Sequence, residues 1–315
     1  MNTKRTCVIF NPKAGTAAKV DQVREELARL PGVSLQETRA PGDGSRIARS
    51  ALNEGFPRII VMGGDGTVNE VLNGIAPDFN QVELGIAPLG TGNDFATLVQ
   101  IPPEPEEAIE CLLSGKTAMI DVAVLESPGL RRYFLNASAG GFSTKVTEHL
   151  NSERKEFWGA LAFYISAAEA IPDLETYRMK VLIDESDAFE VEALNLVVAN
   201  GRAVAGGIPI APVAEPDDGL LDLLILPTMP VAELASLFQQ FLGGEPANDQ
   251  LVRQARQIEI SCDPAMRINV DGEMATDTPV RYSVMPQALR MLVSPEWVRI
   301  RAQAAKALAA KVRAL

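Results

Sequence analysis

A chain of 315 residues, 47% apolar and 22% charged, has room for one large or two ordinary cores and reads as a globular enzyme. Its formal charge of −12 opposes a nucleic-acid footprint, and no apolar run reaches the ~18–20 residues of a membrane-spanning helix. A single histidine, His149, and three scattered cysteines exclude histidine-based metal sites and a disulfide framework; acid–base chemistry falls to carboxylates, and the thiols fit a reducing cytoplasm.

Taken in order, Met1 to Thr6 carry no signal-peptide apolar core and lead into a strand-like run, Cys7 to Phe10, so a cytoplasmic protein is expected. The turn Asn11-Pro12-Lys13-Ala14-Gly15 follows. Val20, Val23, Leu27 and Leu30 then recur at helical spacing within Ala17 to Leu30, before a Pro31-Gly32 stop. A short alternating run, Val33 to Gln36, precedes Thr38. Ile59 to Met62 reads as a strand and runs into Gly63-Gly64-Asp65-Gly66-Thr67-Val68-Asn69-Glu70, with a helix expected over Val68 to Ile75. Leu84 to Leu89 is the next strand, followed by Gly90-Thr91-Gly92-Asn93-Asp94-Phe95 and a helix over Pro103 to Leu113. Such alternation predicts a mostly parallel sheet covered by helices, with ligands beyond the carboxyl ends of its strands.

All three glycine-containing turns sit at those strand ends. Backbone N–H groups at a Gly-rich turn entering a helix cradle phosphate, and glycine lets the backbone approach without a Cβ. Asp65 and Asp94 place carboxylates among these amides, a conflict that a bridging divalent cation resolves. The pattern therefore points to nucleotide phosphates with a metal. Thr67 and the turn amides are the expected phosphate contacts, Thr91 and Gly92 complete the pocket, and Glu70 reads equally as a helix-capping carboxylate. Asp121, inside the apolar run Met119 to Ala123, is costly to bury unpartnered; it is either a metal-site residue or an edge-strand or capping carboxylate. No dinucleotide fingerprint or P-loop occurs.

Beyond about residue 125 the texture changes to short strand-like runs: Tyr133 to Ala137, Met179 to Ile183, Leu194 to Ala199, Leu220 to Leu226, Ile258 to Ser261 and Met266 to Val270. An antiparallel, sandwich-like domain over 126–289 is expected, with helices inserted at Phe157 to Ile171 and Val231 to Leu242. Glu215 to Asp222 is either an Asp-Gly turn or a hard-cation loop using Asp218 and the carbonyls of Glu215 and Leu220. Asp271-Gly272-Glu273 is either a hairpin turn or the carboxylate base for a hydroxyl acceptor. Pro295 to Leu315 reads as an amphipathic helix, with Arg299, Arg301, Lys306, Lys311 and Arg313 against Glu296 alone. Its apolar stripe either docks on the protein or meets an anionic membrane.

At these motifs the chain resembles the catalytic domain shared by diacylglycerol kinases, sphingosine and ceramide kinases and the bacterial lipid kinases. The likeness rests on the Asn11, Gly63 and Gly90 segments and extends to Asp217-Asp218-Gly219-Leu220-Leu221-Asp222 and Asp271-Gly272-Glu273. The resemblance implies an α/β fold: an ATP-binding domain over 1–125, to which 290–315 return, and a β-rich lipid-binding and catalytic domain. It implies ATP contacts at Asn11, Pro12, Lys13, Ala14, Gly15, Thr38, Gly64, Asp65, Gly66, Thr67, Val68, Asn69, Glu70 and Thr91. Asp65, Asp94 and Asp121 would surround Mg2+ of Mg-ATP, and Glu215, Asp218 and Leu220 would hold a structural Mg2+. Glu273 would accept the acceptor's proton, with Asp271 beside it and Asp65 also essential to catalysis. Relatives often carry a basic residue where Thr16 stands. The expected substrate is a lipid hydroxyl, with no nucleic-acid partner and a homodimer left open. Two rivals are a kinase for a soluble acceptor such as NAD and a non-catalytic nucleotide- or lipid-binding regulator.

Overall fold

A computed structural model of the chain describes residues 5–14, 29–144, 175–229 and 252–313, with positions 21, 24, 25, 27 and 233; in the last helix it covers side chains through residue 304 and at Lys306. Gly15, Thr16, His149, the expected helix Phe157 to Ile171 and, apart from Glu233, the expected helix Val231 to Leu242 lie outside the described residues. The chain divides into two compact units, 1–119 with 289–315 and 120–288. The division falls inside a strand, a few residues before Leu125.

In the first unit β1 (Thr6–Phe10), β2 (Val33–Glu37), α1 (Asp43–Asn53), β3 (Arg58–Gly63), α2 (Asp65–Ile75), β4 (Glu83–Pro88), α3 (Asp94–Leu98) and α4 (Pro105–Ser114) follow one another. The strands lie in the order β2–β1–β3–β4, all parallel. Phe10 is level with Met62, and Gly63 with Pro88, so three strands end side by side. Every residue of β1, β3 and β4 is buried, which explains their unbroken apolar runs: helices cover both faces of a parallel sheet. Edge strand β2 is only half-buried, and its sequence alternates accordingly.

Helix α1 has no counterpart in the expectations drawn from sequence. Its Pro41-Gly42-Asp43-Gly44 opening resembles a turn, and its buried stripe is only Gly44, Ile47, Ala48 and Ala51. The helix forms because α2 receives it closely. A Cβ on Gly74 of α2 would lie 2.4 Å from the Ser45 carbonyl oxygen, so glycine there permits backbone-to-backbone contact.

The second unit is built from β5 (Lys116–Ser127, which starts in the first unit), β6 (Leu130–Phe134), β7 (Ala137–Gly141), β8 (Tyr177–Ile183), β9 (Asp187–Ala199), the short pair β10 (Ala203–Val204) and β11 (Ile208–Pro209), β12 (Leu221–Pro227), β13 (Val252–Ala255), β14 (Gln257–Asp263), β15 (Arg267–Val270), β16 (Glu273–Asp277) and β17 (Val280–Val293). Its registered pairings among the described residues are antiparallel, and β9 serves two groups of strands. The first half of β9 pairs with β8, which leads on to β14 and the start of β17. Its second half pairs with β7 on one side and β12 on the other, with β15 and β16 beyond β7. Met179, Val181, Leu196, Val198, Leu223, Ile260, Ile268 and Tyr282 from both groups share one core, as in a sandwich. Tyr282 meets Phe134 edge-on, with centroids 6.3 Å apart, and its hydroxyl lies 3.0 Å from Ser138 Oγ.

Several strand expectations shift. Tyr133 to Ala137 is two strands, broken at Leu135 and Asn136, and β16 and β17 were not foreseen because their polar residues hide the alternation. The end of β17 leaves the second unit: Met291 pairs in parallel with Leu84 of β4. Helix α5 (Pro295–Arg313) follows. Among the described residues no helix is long and apolar enough to cross a membrane.

Candidate active site

The level ends of β1, β3 and β4 bring the three turns together. Asn11 N donates to the Met62 carbonyl and Leu89 N to the Gly63 carbonyl, which extends the sheet one residue beyond its last pairs. Asn11 Nδ2 donates to Thr67 Oγ1 at 2.9 Å, joining the first turn to α2. Asn11 Oδ1 in turn accepts from Lys13 N at 3.0 Å, shaping the turn so that Pro12 and Ala14 are half-buried and Lys13 is exposed. Thr38, buried, donates its N–H to the Phe10 carbonyl at 2.9 Å and so stands at the same strand edge.

The second and third turns are pressed together through glycine. A Cβ on Gly90 would lie 2.6 Å from Gly64 Cα, and one on Gly64 would lie 3.4 Å from Gly90 Cα. Gly64 is extended and supplies no side-chain cap to α2. Helical bonding begins at Val68 N, which donates to the Gly64 carbonyl, so Gly66 and Thr67 occupy the positive end of the helix dipole. Asp65 Oδ2 accepts from Asn93 N at 2.9 Å. Asn93 is left-handed (φ 54), a conformation asparagine tolerates, and its Oδ1 accepts from Gly90 N. Asn93 thus ties Asp65 to the third turn, a role that only its place between Gly92 and Asp94 hints at.

Not every residue of the Gly64 segment faces this edge. Val68 and Asn69 belong to the buried side of α2. Glu70 reaches the other way: its carboxylate accepts from Gly42 N at 2.8 Å and Gly44 N at 2.9 Å, capping α1 rather than its own helix. Thr91 is exposed in the third turn, and Asp94 is buried in the first turn of α3.

The remaining carboxylates lie in the second unit. Asp121, fully buried, accepts from Gly219 N and Gln287 N, both at 2.6 Å. Burial pushes its carboxyl up; the Gln287 and Gly219 N–H groups oppose that, and Asp218 and Asp217 add to it. The acidic loop is internally braced: Asp218 Oδ1 accepts from Leu220 N at 2.9 Å, and Glu215 pairs with Arg202 at 2.6 Å. Asp222, 2% exposed, is pushed up to about 6 by burial and by Asp218, with Glu215 adding and Gln254 opposing. Its Oδ1 has no hydrogen-bond partner, and neither has Asn200 Oδ1. Buried acceptors left without donors fit a nearby cation. Among the described residues, however, no three acidic, cysteine or histidine side chains group as a ready metal cage, so carbonyls would have to complete the shell.

Asp271 (φ 47) and Gly272 (φ 84) form a left-handed turn between β15 and β16. Asp271 exchanges hydrogen bonds with Ala137: its N–H donates to the Ala137 carbonyl, and its Oδ1 accepts from Ala137 N at 3.1 Å. Glu273 opens β16 half-exposed and ion-paired with Arg132 of β6. Arg132, Arg202 and Gln287 escaped the sequence reading; they lie 141, 13 and 166 residues from the carboxylates they touch, with no spacing signal.

Comparison with known proteins gives the chain its family and fold. The diacylglycerol kinase catalytic domain matches residues 5–125 and the YegS C-terminal NAD kinase beta sandwich-like domain matches residues 136–293. A diacylglycerol kinase of Staphylococcus saprophyticus is 31% identical over 294 residues, covering 91% of this chain and 95% of its own. A crystal structure of a diacylglycerol kinase from Bacillus anthracis str. Sterne superposes with TM-score 0.77 at 26% identity, covering 94% and 99% of the two chains. An NAD kinase from Archaeoglobus fulgidus in complex with ATP shares the fold alone, with TM-score 0.50 and 13% identity over 93% and 96%. From its first strand through the end of β17, this chain belongs to the diacylglycerol kinase family, with the family's kinase domain and sandwich-like domain.

Proposed function

We propose that the protein is an ATP-dependent lipid kinase of the cytoplasm, transferring the γ-phosphoryl group of ATP to a lipid hydroxyl such as that of diacylglycerol. The observation that carries this reading is the joining of three strand ends by the Asn11–Thr67 and Asp65–Asn93 hydrogen bonds and the Gly64–Gly90 approach. Amides of Gly64, Gly66 and Thr67, the Thr67 hydroxyl, Asn11 and the turn of Pro12, Lys13 and Ala14 bind the nucleotide; Thr38 and Thr91 border it. Asp65, fixed by Asn93, and Asp94 hold Mg2+, which when bound neutralises phosphate charge; Asp121 is the third carboxylate assigned to it. Glu273 takes the proton of the attacking hydroxyl, with Arg132 orienting its carboxylate and Asp271 shaping the turn before it. In-line transfer of this kind draws its rate from positioning and charge stabilisation.

The reading is tested by incubating the protein with radiolabelled ATP and a total lipid extract and identifying the labelled product. Label in a phospholipid is expected. Turnover of NAD without lipid or detergent would favour the soluble-acceptor rival, and ATP binding without transfer would favour a regulator. We assign a structural Mg2+ to Glu215, Asp218 and the Leu220 carbonyl, supported by the unpartnered Asp222 oxygen. Mg2+ should then raise the melting temperature, and Asp218→Ala should remove that protection; equal melting with and without Mg2+ in the unaltered protein would reject this site.

A further inference from the structure

The segment from Thr38 to Gly44 leaves the carboxyl end of β2 and leads into α1. Each of its backbone N–H groups is taken up inside the protein. Thr38 N donates to the Phe10 carbonyl and Asp43 N to the Ala40 carbonyl. Arg39 N and Ala40 N donate to Asp43 Oδ2 at 2.8 and 3.0 Å. Gly42 N and Gly44 N donate to Glu70 Oε1 and Oε2 at 2.8 and 2.9 Å, and Pro41 has no N–H. The segment therefore has no amide left for phosphate. Its shape depends on two carboxylates, one of its own and one from α2.

The fit around Glu70 is close. A Cβ on Gly44 would lie 2.7 Å from Glu70 Oε2 and 2.9 Å from Glu70 Cβ, and Gly42 is left-handed (φ 85), so glycine at both positions admits the carboxylate. Ser45 Oγ donates to the Glu70 carbonyl at 2.6 Å, a second tie between the same elements. Glu70 lies one helical turn beyond Gly66 and Thr67, so α2 holds the Thr38–Gly44 segment and the turn assigned to phosphate as one rigid piece. Both Glu70 oxygens are occupied by amides, and a carboxylate turned toward phosphate would repel it. The direct ATP contact that the resemblance implies for Glu70 gives way to an indirect one.

Charge sets the direction of the nucleotide along the sheet edge. Asp65 is tied to the turn that follows β4, and Asp94 begins the helix after that turn. Carboxylates assigned to Mg2+ there draw the β- and γ-phosphates toward β4. The strand order β2–β1–β3–β4 then leaves the nucleoside to extend over β1 toward β2, where Thr38 stands.

We propose that Glu70 is a positioning residue for the nucleoside half of ATP: it fixes the Thr38–Gly44 segment as the wall beside adenosine and does not touch the nucleotide. This rests on the nucleotide site of the kinase reading. The test is calorimetric binding of Mg-ATP and, separately, of Mg-tripolyphosphate to the full chain and to Glu70→Gln, without lipid, beside melting curves of both proteins. Glutamine keeps the length of the side chain and loses the charge and one acceptor. ATP should bind the variant roughly tenfold more weakly, as for the loss of an amide bond to a charged acceptor. Tripolyphosphate, which has no nucleoside, should bind as before. In lipid phosphorylation the loss should appear in KM for ATP, with kcat retained at saturating ATP. Gly44→Ala crowds the same carboxylate from the segment's side; it should reproduce the split and decides the matter if Glu70→Gln does not fold. Unchanged ATP affinity in the folded variants would overturn the proposal and leave Glu70 a helix cap. Equal losses for ATP and tripolyphosphate would also overturn it, by putting Glu70 on the phosphates. The expected split in a protein that phosphorylates no lipid would uphold the proposal and sink the kinase reading alone.

Discussion

The two edges of the parallel sheet treat charge in opposite ways. At the amino edge, Arg58 and Glu83 begin neighbouring strands and are buried against each other, with 3.0 Å between Nη2 and Oε2. Arg58 also donates to the carbonyls of Leu112 and Leu113 at the end of α4, and Arg290 reaches Glu83 at 3.3 Å. At the carboxyl edge the backbone is drawn together by glycine, and Asp65 stands half-buried at the start of a helix. One edge neutralises its charges internally; the other presents amides and a carboxylate where anionic phosphate and its metal can be held. Under the proposed function, the same sheet separates stability from chemistry by strand direction.

That separation predicts opposite phenotypes. Arg58→Ala should lose about 3–5 kcal/mol of stability, because it leaves the buried Glu83 poorly compensated, while kcat measured below the new melting point stays near normal. A large loss of kcat in the folded variant would break the comparison. Asp65→Ala should do the reverse: about 10²–10³-fold less turnover, as for the loss of one electrostatic partner of the transition state, with little change in melting. Wild-type rates in a folded Asp65→Ala protein would end the assignment of this edge.

A smaller effect, about 10²-fold on kcat, is expected of Glu273→Gln, with ATP affinity retained, because a base is lost and no nucleotide contact is. Collapse of ATP affinity at constant kcat would reassign Glu273. The finest test compares two glycines of the carboxyl edge. Gly90→Ala forces a Cβ to 2.6 Å from backbone at Gly64 and should cost about 1–3 kcal/mol with weaker ATP binding. Gly64→Ala meets an ordinary 3.4 Å contact and should be milder; titration of ATP binding and melting curves for both variants decide it, and equal losses would show that the close approach does not matter.

Much of the carboxyl edge was legible because its residues are contiguous. Gly64 to Thr67 announce a strand end and a helix start together, and the structure begins α2 at Asp65. Glu70 was less legible: its carboxylate caps α1, whose first turn lies 26 residues earlier, and α1 itself has too narrow an apolar stripe to stand out. The C-terminal helix was visible as amphipathic, yet whether its stripe docks depends on what lies opposite Ala304, which no periodicity records.

By itself the sequence determined the alternation of strands and helices, the three turns and the change to β-rich texture, because each follows from side chains a few residues apart. Tertiary structure alone decided that β9 serves two groups of strands, that Asp121 is held by Gly219 and Gln287, and that Arg132 faces Glu273. Those partners are 98, 166 and 141 residues apart. Local preference is set by neighbours along the chain, whereas the pairing of distant strands and charges is set by which surfaces bury one another, and that is settled only when the whole core forms.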